Sequence, residues 1–208
     1  MKKLLQVYNT PRPYISWSQY FLWLSSPKRY IEHYIYGEDG YNSDAMKLGK
    51  KMAERMELDE ETDYPDIEQV AMFMPKSPKR EYEIEVNFEG IPLYGILDGF
   101  NPLSNKKIIR EMKTGKKWTQ SMADKSGQLT FYTILVFAKY GKLPDKIYLD
   151  WAPTERNINT GKLKLTGEVK TFETKRTMQD ILLFYSKIKK VWEEIQETSK
   201  KEYDKIIK

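Results

Sequence analysis

The hydrophobic spacing changes character twice along this chain, and that order limits the fold more than any other sequence feature. Apolar residues follow helical spacing over about 16–58, and this spacing returns in a long terminal segment from about 172 to 207. Between these regions lie segments with alternating or β-rich composition, near 67–73, 81–88, 91–100 and 106–113. The order predicts an α+β fold with a mostly antiparallel central sheet flanked by helices.

Local signals place the breaks within the first helical region. Ser16 precedes an aromatic-rich periodic stretch and is a suitable N-cap. Pro27 interrupts that stretch, so we expect a second helix to restart over about 27–36. A third segment, about 43–58, is rich in strong helix formers with apolar residues at helical spacing.

The remaining elements follow from turn residues and spacing. The predicted turns between the strands are Glu89–Gly90 and 102–105. After these strands we expect a helix over 121–140 ended by Gly141, a strand near 146–151, an extended segment near 162–170 and the terminal helix. A chain of 208 residues lies near the upper end of the single-domain range. We therefore predict one domain spanning 1–208.

The chain has no cysteine and a single histidine, His33. The lack of cysteine excludes disulfides, thiol nucleophiles, cysteine-ligated zinc and iron–sulfur clusters. A single histidine also leaves too few imidazoles for multi-histidine metal sites and makes a histidine-based triad improbable. Any chemistry therefore depends on carboxylates, lysines, hydroxyls and backbone groups.

The chain is basic, with a formal net charge of +5. Lys and Arg near phosphates release condensed counterions, so this charge suits a polyanionic partner, although many basic proteins bind no nucleic acid. No apolar run reaches the roughly 18 residues needed to cross a bilayer, and the N-terminus lacks a signal-peptide core. We expect a cytoplasmic protein with no membrane partner.

Asp98, Glu111 and Lys113 are charged residues that lie inside predicted strands. Because side chains alternate along a strand, Glu111 and Lys113 share one face. A turn centred near Ser104–Asn105 sets Asp98 directly opposite Glu111, with the side chains about 5 Å apart. Two facing carboxylates repel each other unless a cation or a proton holds them.

A pair of carboxylates at this separation suits Mg²⁺ or Mn²⁺. Such a cation polarises a phosphoryl oxygen and lowers the pKa of its bound water, and a nearby lysine offsets the developing charge. Lys113 suits that role, or the role of orienting or deprotonating the water. The alternative is structural: Asp98 caps a turn while Glu111 and Lys113 form a solvated surface pair.

The order and spacing of these residues resemble the signature of RecB-like nucleases of the PD-(D/E)xK superfamily. Within that superfamily they resemble the exonuclease type that has no iron–sulfur cluster. The matching segments are Gly95-x-x-Asp98, Glu111-x-Lys113-Thr-Gly115 and, on the following helix, Gln128-x-x-x-Tyr132. The family's opening helices are resembled by Ser16-x-Ser18 and Pro27-x-Arg29-Tyr30. The likeness covers about 16–152 and implies a restriction-endonuclease-like core.

The resemblance implies a catalytic set of five residues, Asp98, Glu111, Lys113, Gln128 and Tyr132. Gln128 and Tyr132 are four apart and therefore share a helical face, where a packed core tyrosine with an amide partner is the alternative interpretation.

The resemblance also bears on a third metal ligand, and here the chain departs from the family pattern. Ala53 occupies the position at which the family commonly has a metal-binding histidine. We expect the adjacent Glu54 to join Asp98 and Glu111 as a ligand, with Glu57 as its competitor.

The function implied is that of a metal-dependent nuclease acting on single- or double-stranded DNA, without an iron–sulfur cluster. An exonuclease in DNA repair, recombination or the processing of phage or mobile-element DNA fits this resemblance. The main alternative is a catalytically inactive nucleic-acid-binding module on the same fold. A second alternative is an enzyme of another class, or a protein-interaction domain, whose surface presents Glu-x-Lys.

Other candidate residues have simpler interpretations. His33 is expected to be a packed or surface histidine rather than a ligand. Lys116, Lys117 and Trp118 follow the Glu-x-Lys strand and suit either phosphate and base contacts or a solvated turn.

Overall fold

The computed structural model describes residues 10–40, 43–102, 105–115 and 117–206. Its helices are α1 (Trp17–Ser25), α2 (Pro27–Tyr30), α3 (Asp44–Leu58), α4 (Pro65–Phe73), α5 (Gln120–Asp124), α6 (Gly127–Tyr140) and α7 (Met178–Ile206), with a π-helical turn at Ile31–Ile35. Its strands are β1 (Lys79–Phe88), β2 (Ile91–Asn101), β3 (Ile108–Gly115), β4 (Lys146–Arg156), β5 (Leu163–Leu165) and β6 (Lys170–Thr174).

The strands form one mixed sheet in the order β1-β2-β3-β4-β5, and β6 also pairs with β4. Only the β3–β4 pair is parallel among the strand pairs of the described residues. Parallel neighbours need a crossover connection, and α5 and α6 provide it. The prediction of an α+β fold with a mostly antiparallel sheet flanked by helices is confirmed.

Helices cover both faces of the sheet and bury its central strands. The main hydrophobic cluster joins β1–β4 to α1, α6 and α7 and includes Leu97, Ile109, Leu135 and Ile188. A smaller cluster of residues from α3, α4 and the sheet includes Met52, Ile67, Val70 and Ala152. Strands β2 and β3, which carry the charged residues singled out by sequence, thus lie between two apolar layers.

The prediction of a strand near 67–73 is wrong, because this segment belongs to helix α4. Pro65 occupies the first turn of the helix, where its missing N–H costs nothing. Asp66 and Glu68 also lie in the first turn, where their negative charges interact favourably with the positive end of the helix dipole. Ile67, Val70 and Ala71 are buried at helical spacing. The β-rich composition was therefore outweighed by these helix-start signals.

The single helix expected over 121–140 is two helices. Ser126 caps the second helix by accepting the Leu129 N–H. At the break, a Cβ on Gly127 would come within 2.8 Å of the Trp17 ring, so a side chain there would disturb the packing of α1. The chain turns at 125–126 in order to bring α6 close to α1.

The end of the chain also differs from its prediction. The extended segment expected near 162–170 is two short strands, β5 and β6, and the terminal helix begins at Met178 rather than near 172. Thr177 and Asp180 fix this start, because each side chain bonds the backbone N–H of the other residue. Residue 207, the expected end of the helix, lies outside the described residues.

The predicted helix breaks are confirmed. Ser16 accepts the Gln19 N–H, and Pro27 opens α2 behind the N-cap Ser26. Gly141 ends α6 with φ +70°, a conformation that glycine adopts without steric cost. Within the part of the chain that is described, no helix has the length and apolar content required to span a bilayer.

Candidate active site

Asp98 and Glu111 are brought together by the β2–β3 hairpin. The strands pair through Gly99–Arg110, Phe100–Ile109 and Asn101–Ile108, which is the register predicted for this hairpin. Beyond these pairs, Asp98 Oδ2 accepts the Met112 N–H at 2.7 Å. Of the predicted turn, residues 103–104 lie outside the described part of the chain.

Glu111 is buried, with only 2% of its surface exposed. Its Oε1 accepts a hydrogen bond from Lys113 Nζ at 2.5 Å, whereas its Oε2 is buried and has no hydrogen-bond partner among the described residues. Burial, and after it the charge of Asp98, raises the pKa of Glu111 to about 8. A buried polar atom without a partner is uncommon and marks a place where a further ligand would be stabilised.

Neighbouring charges shift the pKa values of Asp98 and Lys113 in opposite directions, although both pKa values are raised overall. Burial raises the pKa of Asp98, although the Lys113 charge and the Met112 N–H oppose that shift. Burial lowers the pKa of Lys113, but the charge and hydrogen bond of Glu111 outweigh it, so that the pKa of this amine is raised. Lys113 is therefore held as an ammonium ion beside two carboxyl groups.

Helix α6 adds Gln128 and Tyr132 to this site. Gln128 Nε2 donates to the Tyr132 hydroxyl at 3.0 Å, which agrees with their predicted position on one helical face. Burial, followed by the charges of Glu111 and Asp98, raises the pKa of Tyr132 well above its usual value, so the hydroxyl stays protonated. The tyrosine thus lies within electrostatic reach of both carboxylates.

Gly95 allows this close approach of α6 to β2. A Cβ on Gly95 would lie 2.5 Å from Leu135 Cδ1 and 3.2 Å from a ring carbon of Tyr132. A larger residue would push the helix, and with it Tyr132, away from the strand that carries Asp98.

The structure does not bring Glu54 together with these residues. The Glu54 side chain is 53% exposed and forms an i,i+4 pair with Lys50. Its neighbours Ala53 and Glu57, in contrast, line a cavity that Asp98 also lines. Of the two acids considered as a third ligand, Glu57 is the one that faces Asp98.

Sequence reasoning missed two acidic residues of this region, Asp150 on β4 and Glu81 on β1. Both line the same cavity, and Glu81 is partly buried. Burial, then the charges of Asp98 and Glu57, raises the pKa of Glu81 to about 7. The predicted Glu89–Gly90 turn already implied a register that sets Glu81 opposite Asp98, and this signal could have identified it.

The other residues singled out by sequence lie elsewhere. His33 is exposed, and its Nδ1 lies 2.9 Å from the Glu38 carbonyl oxygen. Lys117 is exposed and Trp118 packs against the main hydrophobic cluster. Lys116 lies outside the described residues.

A hard divalent cation fits the donors present. In the described residues, no three His, Asp or Glu side chains are already arranged to hold a metal. Asp98 and Glu111 nevertheless supply carboxylates close enough to influence each other, and the buried Glu111 Oε2 lacks a partner in the part of the chain that the structure describes. Oxygen donors of this kind suit Mg²⁺ or Mn²⁺ supplemented by water.

The fold resembles two solved structures of proteins named as exonucleases. The first, a "putative exonuclease" from Eubacterium rectale, is 12% identical with a TM-score of 0.53, and the match covers 93% of this chain and 80% of that chain. The second, a phage-related exonuclease from Haemophilus somnus, is 15% identical with a TM-score of 0.54, over 88% and 82% of the two chains. No protein-family model and no curated protein matches this sequence. At such identities the likeness establishes a shared fold.

Proposed function

We propose that this chain is a metal-dependent deoxyribonuclease of the RecB-like PD-(D/E)xK type, which hydrolyses phosphodiester bonds and acts from a strand end. The observation that carries the proposal is the buried Glu111 beside Asp98 and the Lys113 ammonium, because Glu111 Oε2 has no partner within residues 10–40, 43–102, 105–115 and 117–206. The exonuclease names of the two structural neighbours support the same chemistry.

Asp98 and Glu111 are the groups that would hold Mg²⁺ or Mn²⁺. The cation, when bound, supplies Lewis-acid polarisation of the phosphoryl oxygen and acidifies water. The carboxylates supply its negative ligands, because an ionised pair at this separation is unfavourable without a cation.

Lys113 stabilises negative charge in this scheme. Its amine lies 2.5 Å from Glu111 Oε1, and its raised pKa keeps it protonated near neutral pH. A protonated amine accepts no proton from water, so offsetting the charge that develops on the phosphate is the role its environment favours.

Gln128 and Tyr132 orient the substrate. The Tyr132 hydroxyl is fixed by the Gln128 amide, and its raised pKa keeps a proton on the oxygen. A neutral hydroxyl beside the carboxylates is suited to donate a hydrogen bond to a phosphate oxygen or a water.

A DNA partner agrees with the net charge of +5. The cellular role that best fits this chemistry is DNA repair, recombination or the processing of phage or mobile-element DNA, in the cytoplasm and without an iron–sulfur cluster.

Two observations favour a second candidate function, that of a catalytically inactive DNA-binding module. Ala53 replaces the histidine common in the resembled family, and the described residues contain no ready-made group of three metal-binding side chains. This candidate retains DNA binding but does not cleave.

The test is cleavage of end-labelled single- and double-stranded DNA with Mg²⁺, Mn²⁺ or EDTA. We expect metal-dependent cleavage by the native protein and a loss of about 10³-fold or more in Asp98→Ala and Lys113→Ala, in line with the removal of a charge-stabilising group. Lys190→Ala is the matched lysine control, because this residue is exposed on α7. Shortening of the product from one labelled end indicates an exonuclease. Binding without cleavage in the native protein would support the inactive module, and full activity in either site variant would refute the assignment.

A further inference from the structure

Another cavity adjoins the candidate active site, and its wall is rich in aromatic rings. This aromatic cavity has a volume of about 240 Å³, more than ten times the volume of about 10–15 Å³ that one water needs. Its wall includes Arg12, Tyr14, Trp17, Tyr34, Tyr94 and Tyr132. Every ring in that list except Tyr132 is half-buried rather than buried, so aromatic surface is left for a ligand.

The aromatic cavity lies where β2 and β3 separate. Among the described residues, these two strands pair at Gly99–Asn101 of β2 and not before it. Ile15 takes the open edge further back along β2, where it donates its N–H to the Pro92 carbonyl at 2.9 Å and accepts the Tyr94 N–H at 3.1 Å. This bridge holds the Tyr14 ring 4.6 Å from the Tyr94 ring, measured between centroids. The fold thus places two rings side by side at an opening in the sheet.

Gln19 fixes this aromatic wall from behind. The residue is 1% exposed, and its Nε2 donates to the Tyr14 carbonyl at 3.0 Å. Its Oε1 accepts the Tyr30 hydroxyl at 3.1 Å, so both ends of the amide are engaged. A wall that is ordered before the ligand arrives reduces the entropy that binding costs.

Arg12 supplies the positive charge of the aromatic cavity and is the charged residue among its described lining residues. It is exposed, and it forms no ion pair within the part of the chain that the structure describes. Burial raises the pKa of Tyr34 and the Arg12 charge opposes that shift, so the guanidinium lies within electrostatic reach of the Tyr34 hydroxyl. A guanidinium beside ring faces suits a phosphate that is joined to a base.

The aromatic cavity continues toward the candidate active site. Gly95 and Ile96 line it, and Asp98 lies two residues after Ile96, about 7 Å along the strand. Tyr132 also lines it, and burial followed by the charges of Glu111 and Asp98 raises the pKa of this tyrosine. A group bound in the cavity is therefore close to the bond that the proposed site would cleave.

We propose that the aromatic cavity binds an unpaired base of single-stranded DNA next to the cleaved phosphodiester, with its rings stacked on the base and Arg12 on the phosphate. Bases in a duplex are paired and stacked within the helix, so their faces cannot enter such a cavity. Stacking on aromatic rings tolerates any base, because every base has a π-face. This inference rests on the proposed function and narrows its substrate to a single-stranded end.

The experiment measures binding of a labelled single-stranded oligonucleotide and of its blunt duplex by fluorescence anisotropy in EDTA, which prevents metal-dependent cleavage. We compare the native protein with Tyr14→Leu and Arg12→Gln. Tyr36→Leu and Arg156→Gln are the matched controls, because both residues are exposed and lie outside the aromatic cavity.

We expect single-strand affinity to fall at least about fivefold in Tyr14→Leu, in line with the loss of one stacked ring. Arg12→Gln should lower the slope of log affinity against log salt concentration by about 0.7, the value for one phosphate contact on a single strand. The controls should keep native affinity for both DNAs. Unchanged duplex affinity in Tyr14→Leu and Arg12→Gln would also show that these variants are folded.

An abasic nucleotide tests the contact with the base directly. Oligonucleotides carry one abasic residue at each position near either end in turn. At one position the missing base should weaken native binding by the same factor as Tyr14→Leu, and Tyr14→Leu should then lose nothing further. Tyr14→Phe keeps the ring and should bind like the native protein, whereas a loss equal to that of Tyr14→Leu would refute stacking.

Native single-strand affinity in either Tyr14→Leu or Arg12→Gln, or an equal loss of duplex affinity, would overturn the inference. The proposed function would stand if the native protein still cleaves DNA with Mg²⁺. Cleavage without any single-strand binding in EDTA would likewise overturn the inference alone. A native protein that neither binds single strands nor cleaves them would remove the basis of both.

Discussion

Two neighbouring residues of β3, Arg110 and Glu111, point to opposite faces of the strand and bury their charge in different ways. Arg110 Nη1 donates to both oxygens of Asp150, at 2.8 and 2.7 Å. Thr171 donates its hydroxyl to Asp150 Oδ1 at 2.5 Å, and the guanidinium stacks 4.4 Å over the Tyr148 ring. Glu111, one residue away, accepts a hydrogen bond from the Lys113 amine on Oε1, and its Oε2 has no partner among the residues that the structure describes.

The difference separates a charge that protein groups satisfy from one that fits the proposed metal site. Burying a charge is costly, and it is tolerated when the group is paired and hydrogen-bonded. The Arg110–Asp150 pair meets that condition with protein groups alone. The Asp98–Glu111 pair does not, and the raised pKa values of both carboxyls indicate the repulsion and desolvation that remain.

The largest effect we expect is on stability, in Asp150→Ala. This change leaves the Arg110 guanidinium, whose side chain is 22% exposed, without its partner. Breaking a buried ion pair lowers the free energy of unfolding by about 3–5 kcal/mol. Because Arg110 is partly exposed, we expect a loss near the lower end of that range. Urea unfolding followed by circular dichroism measures the loss.

The matched variant is Asp98→Ala, tested in EDTA. It removes one of two carboxyl groups that repel each other, and the loss of this repulsion offsets the lost contacts. We therefore expect the free energy of unfolding to fall by less than about 1 kcal/mol. Equal losses in Asp98→Ala and Asp150→Ala would contradict the distinction between the two charged groups.

Some of this arrangement could be predicted from local sequence. The turn positions indicated the register in which β2 and β3 pair, and the i,i+4 spacing indicated the Gln128–Tyr132 contact. Both depend on residues that are close in the chain or joined by one hairpin.

The Arg110–Asp150 pair could not be predicted in the same way. It depends on the parallel pairing of β3 with β4, which sets Met112 beside Asp150 across a helical crossover. No turn fixes a register over that distance. The left-handed backbone of Glu81 likewise has no local signal, since glycine or asparagine would normally mark such a position.

The next effect tests how complete the Arg110 network is. Thr171→Val keeps the shape of the side chain but removes the hydroxyl bonded to Asp150. A hydrogen bond to a charged group contributes about 1.5–3 kcal/mol, so we expect a urea-measured loss in that range. Thr160→Val, at an exposed loop residue, is the control and should change stability by less than about 0.5 kcal/mol. A neutral Thr171→Val would mean that Arg110 alone satisfies Asp150.

The pH dependence of stability should depend on the carboxyl groups of Glu111 and Glu81. In EDTA, the folded-state pKa values of Glu111, about 8, and Glu81, about 7, lie above the usual value of 4.5. The folded protein therefore holds protons that the unfolded chain releases. Stability from these groups is fully present below pH 4.5 and is lost as pH rises through 7 and 8.

The measurement is urea unfolding in EDTA at pH 5, 6, 7 and 8. We expect Glu111→Gln to reduce the decline between pH 5 and 8, because the glutamine does not titrate. Saturating Mg²⁺ should stabilise the native protein most at the high end of this range, where the carboxyls are ionised and the cation competes best with protons. A decline of equal slope in Glu111→Gln would show that other groups cause it.

The smallest effect we expect is in Tyr132→Phe, which asks whether the groups around Glu111 act on substrate or on the cation. The change removes the hydroxyl that Gln128 holds at 3.0 Å but keeps the buried ring. Loss of one hydrogen bond of about 1.4 kcal/mol corresponds to a tenfold fall in the rate of DNA cleavage. Mn²⁺ affinity should stay within twofold of native if the hydroxyl contacts substrate.

Tyr140→Phe is the matched control, because Tyr140 lies on the same helix and its hydroxyl pairs with that of Tyr82 at 2.9 Å instead. We expect native cleavage from this variant. An unchanged rate in Tyr132→Phe would make Tyr132 a packing residue, and a parallel loss of Mn²⁺ affinity would place its hydroxyl among the groups that support the cation. A tenfold loss of rate with native Mn²⁺ affinity would instead assign it to the substrate, which leaves the carboxylates of the sheet to bind the metal.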